Sequence, residues 1–387
     1  MNHSERVKKE PLFHIVKRDN ISTKNKFLLY AGAILVGLIF GSIICSLFST
    51  KNSFNFFGSL FSGAFSTPRR IWLLLQDTAL LLGVSLALAP AFRMKFWNLG
   101  GNGQVLMGCL ADIAVMFYLG GKLPDFLVMI LGIFAGIIAG AVWALIPAIF
   151  KAFFDTNESL FTLMMNYIAS GLVAMFITIW VKTGSGVLNP LKHGVIPEIG
   201  NRYLLTVIVF FLLAGLMYAY IKYSKQGYEI SVVGESMNTA KYIGINVRRV
   251  IIRTMIISGA IAGLVGAFIG GAIDNTVSTA SASNIGFIAI MTAWLAAFNP
   301  LVMIASCFFI TFVSKGMTQV RKDFKFTNDA ISNIVIGIIY FSVIAVTFFL
   351  SYKVVFREGA FDGIKRIFTR KAKSVSEKST DSKEDVK

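Results

Sequence analysis

The sequence predicts an all-α polytopic membrane protein with about ten transmembrane helices, and two observations carry that prediction. The 387 residues are 55% hydrophobic and only 15% charged, with a mean hydropathy of +0.69, far from the balance of an ordinary soluble domain. The apolar residues also gather into stretches of about 20 between polar breaks, the length that crosses ~30 Å of hydrocarbon. These stretches fall near 27–49, 70–92, 97–119, 124–149, 159–181, 202–222, 250–273, 285–298, 300–318 and 329–352, the eighth being short. The first is followed by no small-residue cleavage site and reads as a retained span.

The flanking segments complete the organisation: an N-terminal tail over 1–26, a membrane domain over 27–352 interrupted by a polar loop at 223–249, and a basic tail over 353–387. From Lys371 to Lys387 the tail is Ser, Lys, Asp and Glu with almost no apolar residue, so it is expected to be disordered. With both termini cytoplasmic, Arg93, Lys95, Lys151, the 223–249 loop and the C-terminal tail all lie inside, as the positive-inside rule requires. Lys315, Arg321, Lys322 and Lys325 go against it.

The net charge of +17 is explained by topology and anionic membrane lipid, since the basic residues cluster at chain ends and in short loops; nucleic acid is not an expected partner. Cys45, Cys109 and Cys307 lie inside apolar runs, without the spacing of a metal site or a disulfide framework. The three histidines, His3, His14 and His193, lie outside the spans, which removes a His metal cluster or a Ser-His pair from them. No Gly-x-x-x-x-Gly-Lys-Ser/Thr sequence occurs. The chain is therefore not expected to hydrolyse ATP, to be an enzyme or to hold a cofactor.

Between Tyr228 and Arg253 lies the most informative segment. Gly234 breaks the chain, Ser236 is a plausible N-cap, Met237, Ala240 and Ile243 follow at helical spacing, and Gly244 supplies a left-handed stop. A short capped helix between two spans is a docking element for a cytoplasmic partner. Its candidate residues are Gly234, Glu235, Ser236, Met237, Asn238, Ala240, Tyr242 and Gly244.

Small residues mark close packing within the chain: Gly132, Gly136 and Gly140, Gly259 with Gly263, and Gly266 with Gly270 repeat at four-residue spacing. Polar residues inside apolar runs mark a solute path. The densest group is Asn98, Asn102 and Gln104 with three glycines between them, irregular backbone that must line a cavity or be covered by protein. Amides both donate and accept hydrogen bonds without a charge of their own, which suits a neutral polar ligand. A second group holds Asn157, Glu158, Thr162, Asn166 and Tyr167, with Thr162 and Asn166 one turn apart. A third holds Asn284, Trp294, Asn299 and Pro300. Asp112 stands alone mid-span, where a carboxyl is paired or neutral. The path candidates are thus Asn98, Asn102, Gln104, Thr162, Asn166 and Trp294.

Five motifs occur in an order that resembles the membrane permeases of bacterial nucleoside and simple-sugar ABC importers, in the branched-chain amino acid and ribose-type permease superfamily. They are Asn98 to Gln104 followed by Met107-Gly108; Asn157-Glu158 with Thr162 and Met165 to Ala169; the loop from Gly234 to Asn246; Ser258 to Gly263; and Asn299-Pro300-Leu301. The resemblance covers about residues 70–345. It implies a type II ABC importer permease-like fold and a subunit that dimerises with a second, paralogous permease. It also implies docking to an ATPase with tandem nucleotide-binding domains and receipt of solute from an extracytoplasmic lipoprotein. The chain departs from the family where Asn102 replaces a usual Glu, and where Ala293-Trp294-Leu295-Ala296 replaces Ala-Leu-Leu-Gly. Trp294 would narrow the path, stack on a base, or simply pack between helices. Residues alone also leave open an ion-coupled secondary transporter, with Asp112, Glu158 and Asp274 as its only available carboxylates, and a membrane-embedded enzyme.

Overall fold

A computed structural model describes residues 13–17, 22–49, 51–182, 186–328 and 330–356. In chain order its elements are β1 (Phe13–Lys17), α1 (Thr23–Leu47), α2 (Ser53–Phe65), α3 (Pro68–Arg93), α4 (Gly101–Leu119), α5 (Asp125–Phe154), α6 (Glu158–Trp180), α7 (Leu204–Tyr223), α8 (Lys225–Glu235), α9 (Met237–Tyr242), α10 (Val247–Phe268) with a π-helical continuation Ile269–Asp274, α11 (Ile285–Leu295), α12 (Pro300–Asp323), α13 (Ala330–Ser351) and β2 (Tyr352–Phe356). Apolar sequence becomes helix because hydrocarbon offers no partner for an open backbone N–H or C=O. Eight of the described helices are long and apolar enough to cross a membrane: Leu28–Leu47, Pro68–Arg93, Gly101–Leu119, Asp125–Phe154, Glu158–Trp180, Leu204–Tyr223, Val247–Asp274 and Pro300–Asp323. Ile285–Leu295 is a shorter apolar helix, and α13 runs apolar over 22 residues. Ten apolar helices thus stand where ten spans are expected, and one of them, α11, is short.

The chain divides into two units, Ser42–Ile336 and a second made of Met1–Gly41 with Gly337–Lys387. In the second, β1 and β2 pair antiparallel with Phe13 opposite Phe356 and Lys17 opposite Tyr352. β1 falls in the expected N-terminal tail and β2 begins at the end of the last expected span, so one short ladder joins an otherwise helical set of described elements. Ile15, Val16, Val354 and Val355 supply its β-branched residues. The acidic and basic tail beyond Lys371 lies outside the described residues.

In the larger unit, α4, α5 and α10 meet backbone to backbone. A Cβ at Gly140 would strike the Gly259 carbonyl oxygen, one at Gly263 the Gly136 carbonyl oxygen, and one at Gly266 the Val105 carbonyl oxygen. The glycine stripes are therefore intrachain contacts, worth having in lipid because dispersion between close backbones replaces the missing hydrophobic drive. Asp112 lies in the same seam, buried against Gly132, Gly270 and Gly271, and its Oδ2 has no hydrogen-bond partner among the described residues. Lys315 forms an ion pair with Asp77 on α3, and Arg70 donates to Gln319 at 2.9 Å. The Lys315 charge that runs against the topology rule is thus compensated.

Replacing Gly263 or Gly140 by Leu is expected to lower the melting temperature of the purified chain sharply and to shift it from monodisperse to aggregated on gel filtration, because overpacking costs about 1–3 kcal/mol even where side chains, not backbone, must yield. Gly171 has nothing within 4 Å of an added Cβ, so Gly171→Leu should leave both readouts unchanged.

Candidate functional site

The segment between α3 and α4 is built from the end of α3. Lys95 takes a left-handed conformation with φ of 60°, its N–H bonds the Phe92 carbonyl and the Phe96 N–H bonds the Ala91 carbonyl, both at 3.0 Å. This paired closure caps α3 and turns the chain into irregular backbone up to Gly100. Amides expected in the path satisfy that backbone. Asn98 Oδ1 accepts from the Gly100 N–H at 3.0 Å and from Gln104 Nε2 at 3.3 Å, while its Nδ2 donates to Ser258 on α10 at 3.3 Å. Thr162 on α6 accepts from the Leu99 N–H at 3.0 Å and donates to the Glu158 carbonyl at 2.7 Å. Asn166, one turn on, spans the break: its Oδ1 accepts from the Gly103 N–H at 2.7 Å and its Nδ2 donates to the Leu99 carbonyl at 2.8 Å.

A cavity of about 290 Å³ lies between α4, α6 and the linker from the π-helical segment to α11. Asn102 and Asn166 line it, together with Tyr167 and Ser170 on α6, and Thr279, Asn284 and Phe287 beyond. Asn98, Gln104 and Thr162 are buried behind it and do not reach it, so the expected shared cavity receives two of its five polar residues and the other three are scaffold. Asn102 Oδ1 caps the start of α11 by accepting from the Gly286 N–H at 2.7 Å. Ser283 and Asn284 both have positive φ, 39° and 59°, strain of the kind that gathers at binding sites. Tyr167 and Asn284 stood among the sequence candidates; Ser170, Thr279 and Phe287 did not, because lone hydroxyls and aromatics in apolar runs are ordinary and the linker's fold brings them in.

Trp294 is not on that wall. Its ring lies 5.5 Å from Trp97 and 6.2 Å from Phe298, and Phe298 stacks on Phe92 at 5.9 Å. Its neighbours are aromatic, and 43% of its own surface is exposed. Glu158 pairs with Lys151 at 3.0 Å, a basic partner that separation in sequence conceals. Asp155 caps α5 in the left-handed region, and Lys151 beside it holds its carboxyl below the usual range.

The docking element forms as expected at its ends. Ser236 accepts from the Thr239 N–H at 3.2 Å to cap α9, and Gly244, with φ of 82°, closes it as the Ile245 N–H bonds the Ala240 carbonyl at 2.9 Å. Two expectations are corrected. Gly234 breaks nothing: it lies inside α8, buried, where a Cβ would strike the Arg93 carbonyl oxygen. Ala240 offers no docking surface; it is fully buried in a cluster with Met94, Phe96, Ala144, Ile230 and Val250. The outward face is Glu235, Met237, Asn238 and Tyr242.

Residues 70–344 match the family described as branched-chain amino acid transport system / permease component. The chain belongs to that permease family. It is 31% identical over 287 residues, 71% of this chain and 81% of the relative, to the guanosine ABC transporter permease protein NupP of Bacillus subtilis (strain 168). It is 26% identical to the nucleoside ABC transporter permease protein NupB of Lactococcus lactis subsp. cremoris (strain MG1363), over 85% of this chain and 91% of the relative. It is 27% identical to the glucose ABC transporter permease protein TsgB13 of Haloferax volcanii, over 71% and 76%. As a permease the chain is a transport subunit and not itself an enzyme, and an ABC permease works with an ATPase partner.

In this permease Asn166→Ala removes partners from a buried N–H and a buried C=O at once, at about 1–3 kcal/mol for each group left unsatisfied. Its melting temperature in detergent should fall by several degrees, whereas Ser170→Ala on the same helix, whose side chain bonds to no described residue, should melt as the parent does.

Proposed function

We propose that the chain is the membrane subunit through which an ABC importer passes nucleosides or simple sugars into a bacterial cell. It lies in the cell membrane as a multi-pass protein with both termini in the cytoplasm, and pairs with a second, paralogous permease. An ATPase with tandem nucleotide-binding domains drives it, and an extracytoplasmic lipoprotein delivers the solute. The observation that carries the reading is the cavity: polar along α4, α6 and the linker, with no Asp, Glu, Lys, Arg or His in its wall. Such a wall accepts a neutral hydroxyl-rich solute and repels none of its groups. The names of the nucleoside and glucose permease relatives agree with that chemistry.

Asn102, Asn166 and their neighbours in the cavity are the path, with Asn98, Gln104 and Thr162 holding its backbone. The α8–α9 element is the coupling element: Met237, Asn238 and Tyr242 meet the ATPase, and Ala240 anchors the element to the membrane core. Tyr242 is 91% exposed at the end of α9, beside Ile243 at 55%.

Uptake of labelled nucleosides and monosaccharides by cells carrying the full transporter should be lost when this chain is deleted. Tyr242→Ala and Met237→Ala should each reduce co-purification of the ATPase about tenfold while the chain inserts normally, since exposed aromatic anchors carry a large share of interface energy. Ala240→Glu should instead deplete the folded chain itself. The chain purified alone should hydrolyse no ATP, and transport by it alone under an ion gradient would count against the importer reading.

A further inference from the structure

The cavity wall divides into two chemically different parts. One is polar: Asn102 Nδ2, the Asn284 amide, and the hydroxyls of Thr279 and Ser170 bond to no described residue, although Asn102 Oδ1 and both ends of Asn166 are fully engaged with backbone. The other is aromatic: Tyr167 on α6 and Phe287 in the first turn of α11 both line the cavity and are both exposed into open space. Asn166 stands eight residues into α6, about 12 Å along a helix that is long and apolar enough to cross a membrane. Polar groups at that depth require a polar occupant, because lipid satisfies none of them.

From this juxtaposition we infer that the cavity is a nucleoside subsite, in which Tyr167 and Phe287 hold the planar base and Asn102, Asn284, Thr279 and Ser170 hydrogen-bond the ribose and the base edge. The inference rests on the importer reading and narrows it. A monosaccharide offers hydroxyls to the polar part and no planar face to the aromatic part. A nucleotide brings a phosphate, and the wall holds no Lys or Arg to receive it, so its charge would be buried unpaired. The volume of about 290 Å³ sits at the small end of ligand sites and admits a single nucleoside rather than a larger conjugate.

The test uses the full-length chain in lipid nanodiscs, probed by saturation-transfer NMR with adenosine, uridine, ribose and uridine 5′-monophosphate at millimolar concentration. The inference expects saturation of the base protons of both nucleosides, at least fivefold weaker signal from ribose, and none from the monophosphate. Tyr167→Leu and Phe287→Leu should each weaken nucleoside binding about tenfold, and Tyr167→Phe, which keeps the ring, should restore it. Both positions are exposed, and an unchanged melting temperature will show that the variants fold. Equal signals from ribose or the monophosphate, or undiminished signals in both Leu variants, would overturn the inference. If no nucleoside binds the chain while cells still import nucleosides, the subsite falls and the importer reading stands. If cells import neither nucleosides nor sugars through the transporter, the importer reading falls as well.

Discussion

The close approach of α4, α5 and α10 is the contact on which the larger unit depends. Gly108, Gly136, Gly140, Gly259, Gly263 and Gly266 remove side chains where three helices cross, so that carbonyl oxygens of one helix lie against the Cα atoms of another. In a bilayer this is a principal way for apolar helices to prefer each other over lipid. The seam fixes α4 along its length, and α4 in turn carries Asn102 and the irregular segment before it.

Around it the buried amides act as substitutes for helix hydrogen bonds. Where α3 stops and α4 has not begun, Leu99, Gly100 and Gly103 present backbone groups that no helix satisfies, and Asn98, Thr162 and Asn166 take them up. An amide in this role is chemically suited to a ligand and unavailable to one. Of the two amides that also line the cavity, Asn166 has both ends engaged with backbone, whereas Asn102 spends its oxygen on α11 and keeps its nitrogen.

That distinction explains what the sequence could reveal. Apolar run length is a strong signal, so the ten helices were legible, as were the capped α9 and the broken stretch before α4. The glycine stripes were legible as packing because four-residue spacing puts them on one face. The sequence hid α2, whose 13 residues are too few to be read as a span, and α8, whose mixed charge and Gly234 read as loop. It also hid which amides face the cavity, since Asn98 and Asn102 differ only in orientation. Ala240 illustrates the same limit: an alanine on a six-residue helix carries no mark of whether it is surface or anchor, and the answer came from Met94 and Phe96, far away in sequence. The β1–β2 pairing joins residues more than 300 apart, a separation at which local pattern is silent.

Residues 94–100 touch both working parts of the molecule. Met94 and Phe96 lie under Ala240 and Val233 in one apolar cluster, and Asn98, two residues on, holds the start of the helix that carries Asn102. The chain between them is too short and too tightly bonded to absorb a displacement by bending. A displacement of α8 and α9 would therefore reach the cavity wall as a movement of the α4 terminus, with a stroke set by a handful of covalent bonds rather than by the compliance of whole helices.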